Sequence, residues 1–439
     1  MKKEVVVLGG GLSGLVVADR LQDKGYDVVI VEKDTKIGGM CKSKLKICGD
    51  KKVIYDLGPH KFATTEHDAL AYYLERCKTT VKIPITGGVI LKGIKLKYPP
   101  SVVEILMKMP YHGIRCGIDF MIKFMEKEGN TYEHYLIKRV GRYTYNLVFR
   151  DYAEKIWGPP AALDEELARK RVVTPSLVTL LKNVITGENN TTFKEFFYSP
   201  LGAGYFPFKI ADKILGNGGR IITSSYPLRY KDNVLEIVKP DGKECFINPT
   251  IVSTIPYNDL LTVMGMDEYK SRFLGFRDLN LFYFLVNKPN ADFDCWTFFP
   301  ERGVVFNRVS KNFSKFTKDC TLLCAETTKG AQINDVWAEL KGAFNVTDGD
   351  LLDSWTDKIE GAYPIYNVGF KKIMGNILNN IEMAGRGKLF CVGRNACHNY
   401  NNMDHAIIES TDLANIIDSG DGINAWIKRR SEYDWKIVD

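Results

Sequence analysis

Val5-Val6-Val7-Leu8-Gly9-Gly10-Gly11-Leu12-Ser13-Gly14 follows directly on Met1-Lys2-Lys3-Glu4, and its reading decides the fold. Four consecutive apolar residues predict a strand buried on both faces of a parallel sheet. Leu15, Ala18 and Leu21 then recur at helical spacing, and Gly25 ends the helix. Val28-Val29-Ile30-Val31 predicts a second buried strand, closing on Glu32. Strand, turn, helix and strand make a βαβ unit of about 30 residues.

The spacing Gly9-x-Gly11-x-x-Gly14 is weak evidence alone, but here it follows a strand, opens a helix and precedes an acid at the end of the next strand. Gly9 allows the tight turn, Gly11 lets the backbone approach a pyrophosphate, and Gly14 lets helix and strand pack closely. The helix start around Leu12 and Ser13 offers N–H groups and a positive dipole end to phosphate. Glu32 is placed to accept from a ribose. An ordinary glycine-rich turn is the bland alternative; the context predicts a bound dinucleotide.

Working outward, the chain has 439 residues, enough for about three folding units. With 45% hydrophobic and 26% charged residues, it is excluded from disordered, collagenous and coiled-coil classes. No run of about 18 apolar residues predicts a membrane span, and the immediate first strand leaves no room for a signal peptide. The net charge of +7 comes from scattered basic residues, which suits a small anion and argues against nucleic acid. Ten cysteines without a CxxC pair argue against zinc and against a disulfide scaffold, so no metal and a reducing, cytoplasmic setting are expected.

Further along, strands are expected at residues 53–57, within 85–100, within 219–254 around a Lys239-Pro240-Asp241-Gly242 turn, and at 281–286, 296–299, 321–324 and 389–392. Helices are expected over 66–77, 204–215 and 404–418, and residues 101–200 read as mostly helical. Val102 to Met125, with Lys108, Arg115 and Lys123, fits an amphipathic helix; a core-facing one is the commoner case, a membrane-surface one the rarer. The fold class is α/β: a Rossmann-like dinucleotide domain with a helical insertion and an antiparallel-sheet substrate domain. The boundaries expected are 1–85, 201–255 and 376–439 for the dinucleotide domain, 86–200 for the helical insertion and substrate region, and 256–375 for the sheet-rich substrate domain.

Glu32-Lys33 through Ile37-Gly38-Gly39-Met40 resembles the extended fingerprint of flavoproteins, and Val392-Gly393-Arg394 with Met403-Asp404 resembles their late FAD contact. The chain is similar over nearly its full length to the amine oxidase and protoporphyrinogen oxidase superfamily. Within it, several segments look like UDP-galactopyranose mutase: Tyr55-Asp56-Leu57-Gly58-Pro59-His60-Lys61-Phe62, Tyr152 to Gly158, Lys170 to Leu177, Trp296 to Pro300, Phe306 to Ser310, Ala362-Tyr363-Pro364 and Tyr400 to His405. The resemblance implies FAD held by Gly9, Gly11, Leu12, Ser13, Gly14, Glu32, Lys33, Gly38, Gly39, Met40, Gly58, Pro59, His60, Gly393, Arg394, Met403 and Asp404.

It further implies that Arg308 and Arg394 clamp a substrate diphosphate, that Tyr363 and Tyr400 donate to it, and that Arg171 and His60 face the sugar and the flavin ring. Trp157 would wall the pocket, joined by Phe298. Arg suits the clamp because its planar fork bonds phosphate oxygens bidentately. The chain departs from the mutases at Phe298, where they carry Tyr, at Ala153, where the eukaryotic branch carries Asn, and in a shorter Tyr400 to His405 stretch. The implied activity is a redox-neutral pyranose–furanose isomerisation of a nucleotide sugar for polysaccharide biosynthesis, with reduced FAD attacking through N5 to give a flavin–sugar adduct. The competing expectation is an FAD-dependent oxidoreductase of the protoporphyrinogen or amine oxidase type. A homo-oligomer is compatible with either.

Overall fold

The structure, a computed structural model, describes residues 3–127, 129–172, 193–314 and 320–437. A five-stranded parallel sheet organises it, in the order Leu389–Cys391, Thr250–Ser253, Glu4–Leu8, Asp27–Val31, Arg220–Ile222. The opening strand lies at the centre, with Val5 opposite Thr250 on one side and Val28 on the other. Successive side chains of a strand point to opposite faces. Val5 and Val7 share a core with helices Leu12–Asp23, Tyr205–Gly216 and Met403–Ser419. Val6 and Leu8 share one with Tyr257–Val263 and Phe370–Ala384. Both faces are covered, which is why the run is continuously apolar rather than alternating.

A seven-stranded sheet forms the second layer, in the order Leu351–Pro364, Phe276–Val286, Thr321–Thr327, Arg308–Lys311, Trp296–Phe298, Gly87–Leu91, Ile94–Lys97. All its pairs are antiparallel except Trp296–Phe298 with Gly87–Leu91. The expected hairpin at Asp241 is present, with Lys239 opposite Gly242. Leu351–Pro364, 14 residues long, had no counterpart in the sequence reading. It is an edge strand carrying Asp353, Asp357, Lys358 and Glu360, and charge on an edge is how sheets avoid adding a further strand. Helices Ile333–Ala343, Phe370–Ala384 and Gly422–Ser431 were likewise not foreseen.

The segment expected to be helical contains Val102–Lys108, Pro110–Ile122, Tyr132–Val140, Arg150–Ile156 and Glu165–Arg171. Val173 to Leu177, part of one mutase-like block, lie outside the described residues. Two expectations are corrected here. Glu195–Tyr198, inside the stretch read as helical, is a strand antiparallel to Val81–Pro84, because the alternately buried Phe196 and Tyr198 follow a period of two. Of the amphipathic stretch from Val102, Ile105 and Met109 pack on the core, and the part after Met109 does not. Pro110 starts a new helix there, and no residue of Pro110–Ile122 is buried. His112 and Asp119, on its polar side, are the ones that reach the protein body, through the Tyr143 hydroxyl (2.8 Å) and backbone N–H (2.6 Å).

All ten cysteines are free. Among the described residues no helix is long and apolar enough to cross a membrane.

Candidate functional site

The glycine turn is shaped by two kinds of constraint. Gly9 has φ +103°, and a Cβ there would lie 2.4 Å from Thr254 Oγ1. A Cβ on Gly14 would lie 2.1 Å from the Gly9 carbonyl oxygen, so helix and strand touch as the motif requires. Gly11 differs: its nearest neighbour would be Gly39 Cα at 3.8 Å. The protein itself does not need a glycine at that position, whereas a group approaching the backbone does. The helix that follows has no side-chain cap and no acid in its first turn, so its leading N–H groups stay open to an anion.

The second glycine pair docks onto the first, Gly38 N–H donating to Gly10 O at 2.8 Å and Gly11 bridging Gly38. Glu32 is buried, its Oε2 accepting from Gly10 N–H (2.6 Å) and its Oε1 from Asp34 N–H (2.9 Å). Two backbone donors fix the carboxylate while each oxygen retains a lone pair for a ribose hydroxyl. Lys33 beside it is exposed. Parallel pairing of Leu389–Cys391 brings the far end of the chain here: a Cβ on Gly393 would lie 2.9 Å from Ser13 Oγ. Met403 and Asp404 begin the Met403–Ser419 helix, and Asp404 Oδ1 is buried without a partner. Shallow glycines, a fixed acid and an orphaned buried oxygen fit a dinucleotide such as FAD.

A pocket opens on the second sheet, and Trp157, Arg171, Arg308, Tyr363 and Tyr400 line it together. Residues separated by some 240 positions in sequence are gathered by one helix, two strands and the loops that carry Trp157 and Tyr400. Glu165–Arg171 ends with Arg171, whose guanidinium lies 5.9 Å from the Trp157 ring centre and 5.2 Å from that of Tyr400. Tyr400 stacks on Tyr363 at 5.6 Å with 3° between planes. Burial, with Tyr400 next, raises the Tyr363 hydroxyl well above the ordinary range, so it stays a neutral donor.

Register aligns Phe298, Arg308 and Glu326 across three strands. Arg308 donates Nε to Glu326 Oε1 at 2.8 Å and Nη2 to Oε2 at 3.0 Å, and its guanidinium lies 5.9 Å from the Phe298 ring. Phe298 thus backs Arg308 and does not itself line the pocket. Arg394 is set behind Tyr400, 5.2 Å from its ring, donating to Ala362 O (2.9 Å) and to Asn401 O, with Met40 Sδ at 3.8 Å. It braces the pocket wall and the cofactor loop at once.

Gly58, Pro59 and His60 line an adjoining cavity with Ser310 and Cys324. Gly58 N–H donates to the Tyr283 hydroxyl (3.1 Å), which donates to Asp56 O (2.6 Å). His60 Nδ1 lies 3.3 Å from Gly58 O. Burial first, then the nearby Arg394 and Arg308 cations, push the His60 pKa down to about 4, so the ring is neutral at pH 7.

Sequence reasoning missed Glu326 and quoted Tyr152 and Asn307 only as parts of blocks; all three line the pocket. Glu326 carried a signal: an acid inside the apolar run Thr321–Thr327 needs a buried partner. Lys155 was quoted only as part of a block. It is buried, with Nζ donating to Phe299 O (2.8 Å), Glu301 O (3.0 Å) and Phe306 O (2.8 Å), and so holds the turn that leads into Arg308. Among the described residues no cluster of three or more His, Cys, Asp or Glu could hold a metal.

Comparison with known proteins agrees with this architecture. The NAD(P)-binding Rossmann-like domain family matches residues 7–77. UDP-galactopyranose mutase of Mycoplasma genitalium is 24% identical over 425 residues, 93% of each chain. The crystal structure of a reduced UDP-galactopyranose mutase superposes with a TM-score of 0.81 at 19% identity, over 95% of this chain and 94% of that one. A putative protoporphyrinogen oxidase from Exiguobacterium sp. 255-15 superposes with a TM-score of 0.72 at 12% identity, over 96% and 99%. Nearly the whole chain is therefore similar in sequence and fold to UDP-galactopyranose mutase, and in fold to the protoporphyrinogen oxidase type around it.

Proposed function

We propose that the chain is a flavoenzyme that holds FAD in the glycine cradle and, with the flavin reduced, interconverts the pyranose and furanose forms of a nucleoside-diphosphate hexose. The observation that carries the reading is the pocket in which Arg171, Arg308, Tyr363 and Tyr400 converge beside the Gly58-Pro59-His60 segment. Two cations and two phenols on one wall suit a diphosphate and little else of small size. Reduced flavin, when bound, supplies a nucleophilic nitrogen and leaves no net redox change.

The chain's own residues bind, orient and stabilise charge. Arg171 and Arg308 take the diphosphate, whose negative charge grows as the bond to the sugar breaks; fixed donors there lower the barrier without having to reorganise. Glu326 holds the Arg308 fork in its plane, and Lys155 holds the turn before it. Tyr363 keeps its proton and donates, with Tyr400 stacked beside it as a second phenol. Trp157, its Nε1 buried without a partner, walls the sugar end and offers one more donor. Neutral His60 sets no positive charge against the cofactor. The same reading places the enzyme in the cytoplasm, supplying furanose donors for polysaccharide assembly.

An oxidoreductase of the protoporphyrinogen or amine oxidase type is the second reading. The Glu326 carboxylate favours it, because it matches the Arg308 charge without any substrate. Titration of the purified protein with UDP, GDP and dTDP separates the two: micromolar binding of a nucleoside diphosphate, lost in Arg171→Ala, supports the mutase reading, and no binding of any of them rejects it.

A further inference from the structure

We infer that Glu409, a buried acid outside the pocket, is a positioning residue that sets Tyr400 and Arg171 against the diphosphate as one unit. The inference rests on the reading of that pocket wall as a diphosphate clamp. Glu409 sits in the second turn of the Met403–Ser419 helix, 3% exposed. Its two carboxylate oxygens close on the residues either side of Tyr400: Asn399 Nδ2 donates to Oε1 at 2.8 Å and Asn401 Nδ2 to Oε2 at 3.0 Å. Tyr400 between them is buried, and its own N–H donates to the Tyr366 hydroxyl at 2.7 Å. Three consecutive residues are thus pinned, which fixes the direction in which the Tyr400 ring leaves the loop to stack on Tyr363.

The same carboxylate reaches Arg171 through an amide. An ionised carboxylate only accepts, so it obliges Asn399 to present its NH2 and turns the amide oxygen the other way. That oxygen accepts from Lys170 Nζ at 2.9 Å. Lys170 is 6% exposed and directly precedes Arg171, the last residue of the Glu165–Arg171 helix. A buried ammonium needs compensating charge, and Glu166 and Glu409 both favour its charged form. Residues 435–437 lie across the network: Trp435 Nε1 donates to Glu409 Oε1 at 2.7 Å, and Ile437 N–H to Lys170 O at 2.8 Å. Away from water, bonds to an ionised group are strong and directional, which suits a part that holds geometry. One helix thereby serves both proposed sites, with Asp404 in its first turn at the cofactor cradle and Glu409 behind the substrate wall.

The test pairs calorimetric titration with UDP and amide hydrogen exchange of residues 399–401 without ligand, both on the full-length protein. Glu409→Leu accepts from neither asparagine, so UDP affinity is expected to fall about tenfold or more, and exchange to quicken about tenfold or more. Glu409→Gln still accepts from Asn399 and Trp435 and can donate to a turned Asn401 amide, so both readings are expected within about threefold of the parent. Trp435→Phe leaves both asparagines held and is expected to keep affinity within about threefold. Asn401→Ala opens only the Oε2 side and is expected to weaken UDP about threefold or more, which serves if the leucine variant does not fold. Parental affinity and exchange in Glu409→Leu, or in Asn401→Ala in its place, overturn the inference. So does a glutamine or Trp435→Phe variant as weak as the leucine one, which makes the acid a packing element only. A parent that binds no UDP rejects the diphosphate reading instead. Exchange then decides the clasp alone: quickened in Glu409→Leu and restored in Glu409→Gln supports it, and unchanged overturns it.

Discussion

Replacing Arg308 by Ala removes a guanidinium from the pocket and also strands a carboxylate. The Glu326 side chain is 2% exposed and that of Arg308 14%, so the carboxylate is buried and its partner nearly so. Breaking a buried pair from one side costs about 3–5 kcal/mol, because the remaining charge has neither water nor partner. Arg308→Ala should therefore lose stability and ligand affinity together, and alone it cannot separate a clamp from a strut. The double variant Arg308→Met, Glu326→Leu separates them. An apolar pair of similar volume should bring stability back to within about 1 kcal/mol of the parent. The charge-assisted bonds to a diphosphate stay lost, at about 1.5–3 kcal/mol, or about 10- to 150-fold in Kd. Thermal melts give the first quantity and calorimetric titration with UDP the second. A double variant that is stable and binds UDP like the parent would refute the clamp.

Three further perturbations follow from particular contacts. The Cβ of Gly11→Val meets only Gly39 Cα, at an ordinary 3.8 Å, so the variant should melt normally yet purify without flavin colour, whereas Gly14→Ala, aimed at the Gly9 carbonyl, should lower the melting temperature itself; a yellow Gly11→Val protein would count against the cradle. Lys155→Met strands three carbonyls and should cost about 3 kcal/mol, at about 1 each, with KM rising more than kcat falls; a KM held at the parent value would sever Lys155 from Arg308. His398, 1% exposed, has its pKa pushed down to about 4 by burial. The unfolded chain, with a His pKa of about 6.5, takes up a proton between pH 6.5 and 4 that the folded chain refuses, so stability falls as pH drops through that window by about 3 kcal/mol. His398→Gln should flatten the fall measured in urea titrations, and an unaltered slope would assign it to other groups.

Much of the dinucleotide half was legible in the sequence because backbone constraints write themselves as residue types. Gly9 and Gly14 are dictated by what a Cβ would strike, Thr254 Oγ1 and the Gly9 carbonyl, and the four opening apolar residues by helices on both faces. Strands that lie at an edge or mix charge with apolar residues were not legible: Leu351–Pro364 is stabilised by its pairing with Phe276–Val286, which no local pattern announces. Pocket residues such as Arg171 and Tyr400 were found through resemblance to known segments, and Glu326 was missed because its partner is set by strand register rather than by spacing along the chain. The outward turn of the Pro110–Ile122 stripe was invisible for a different reason. Periodicity gives the existence of an apolar face, and only packing says which way it looks.

The central claim is isomerisation by the reduced protein. Purified protein would be reduced anaerobically with dithionite, mixed with a panel of UDP-, GDP- and dTDP-hexopyranoses, and the products separated by chromatography. The account predicts a furanose form of one of these sugar nucleotides, formed only after reduction and abolished in Arg171→Ala. No new product from any of them, with net oxidation of a porphyrinogen or an amine by the oxidised protein, would contradict it.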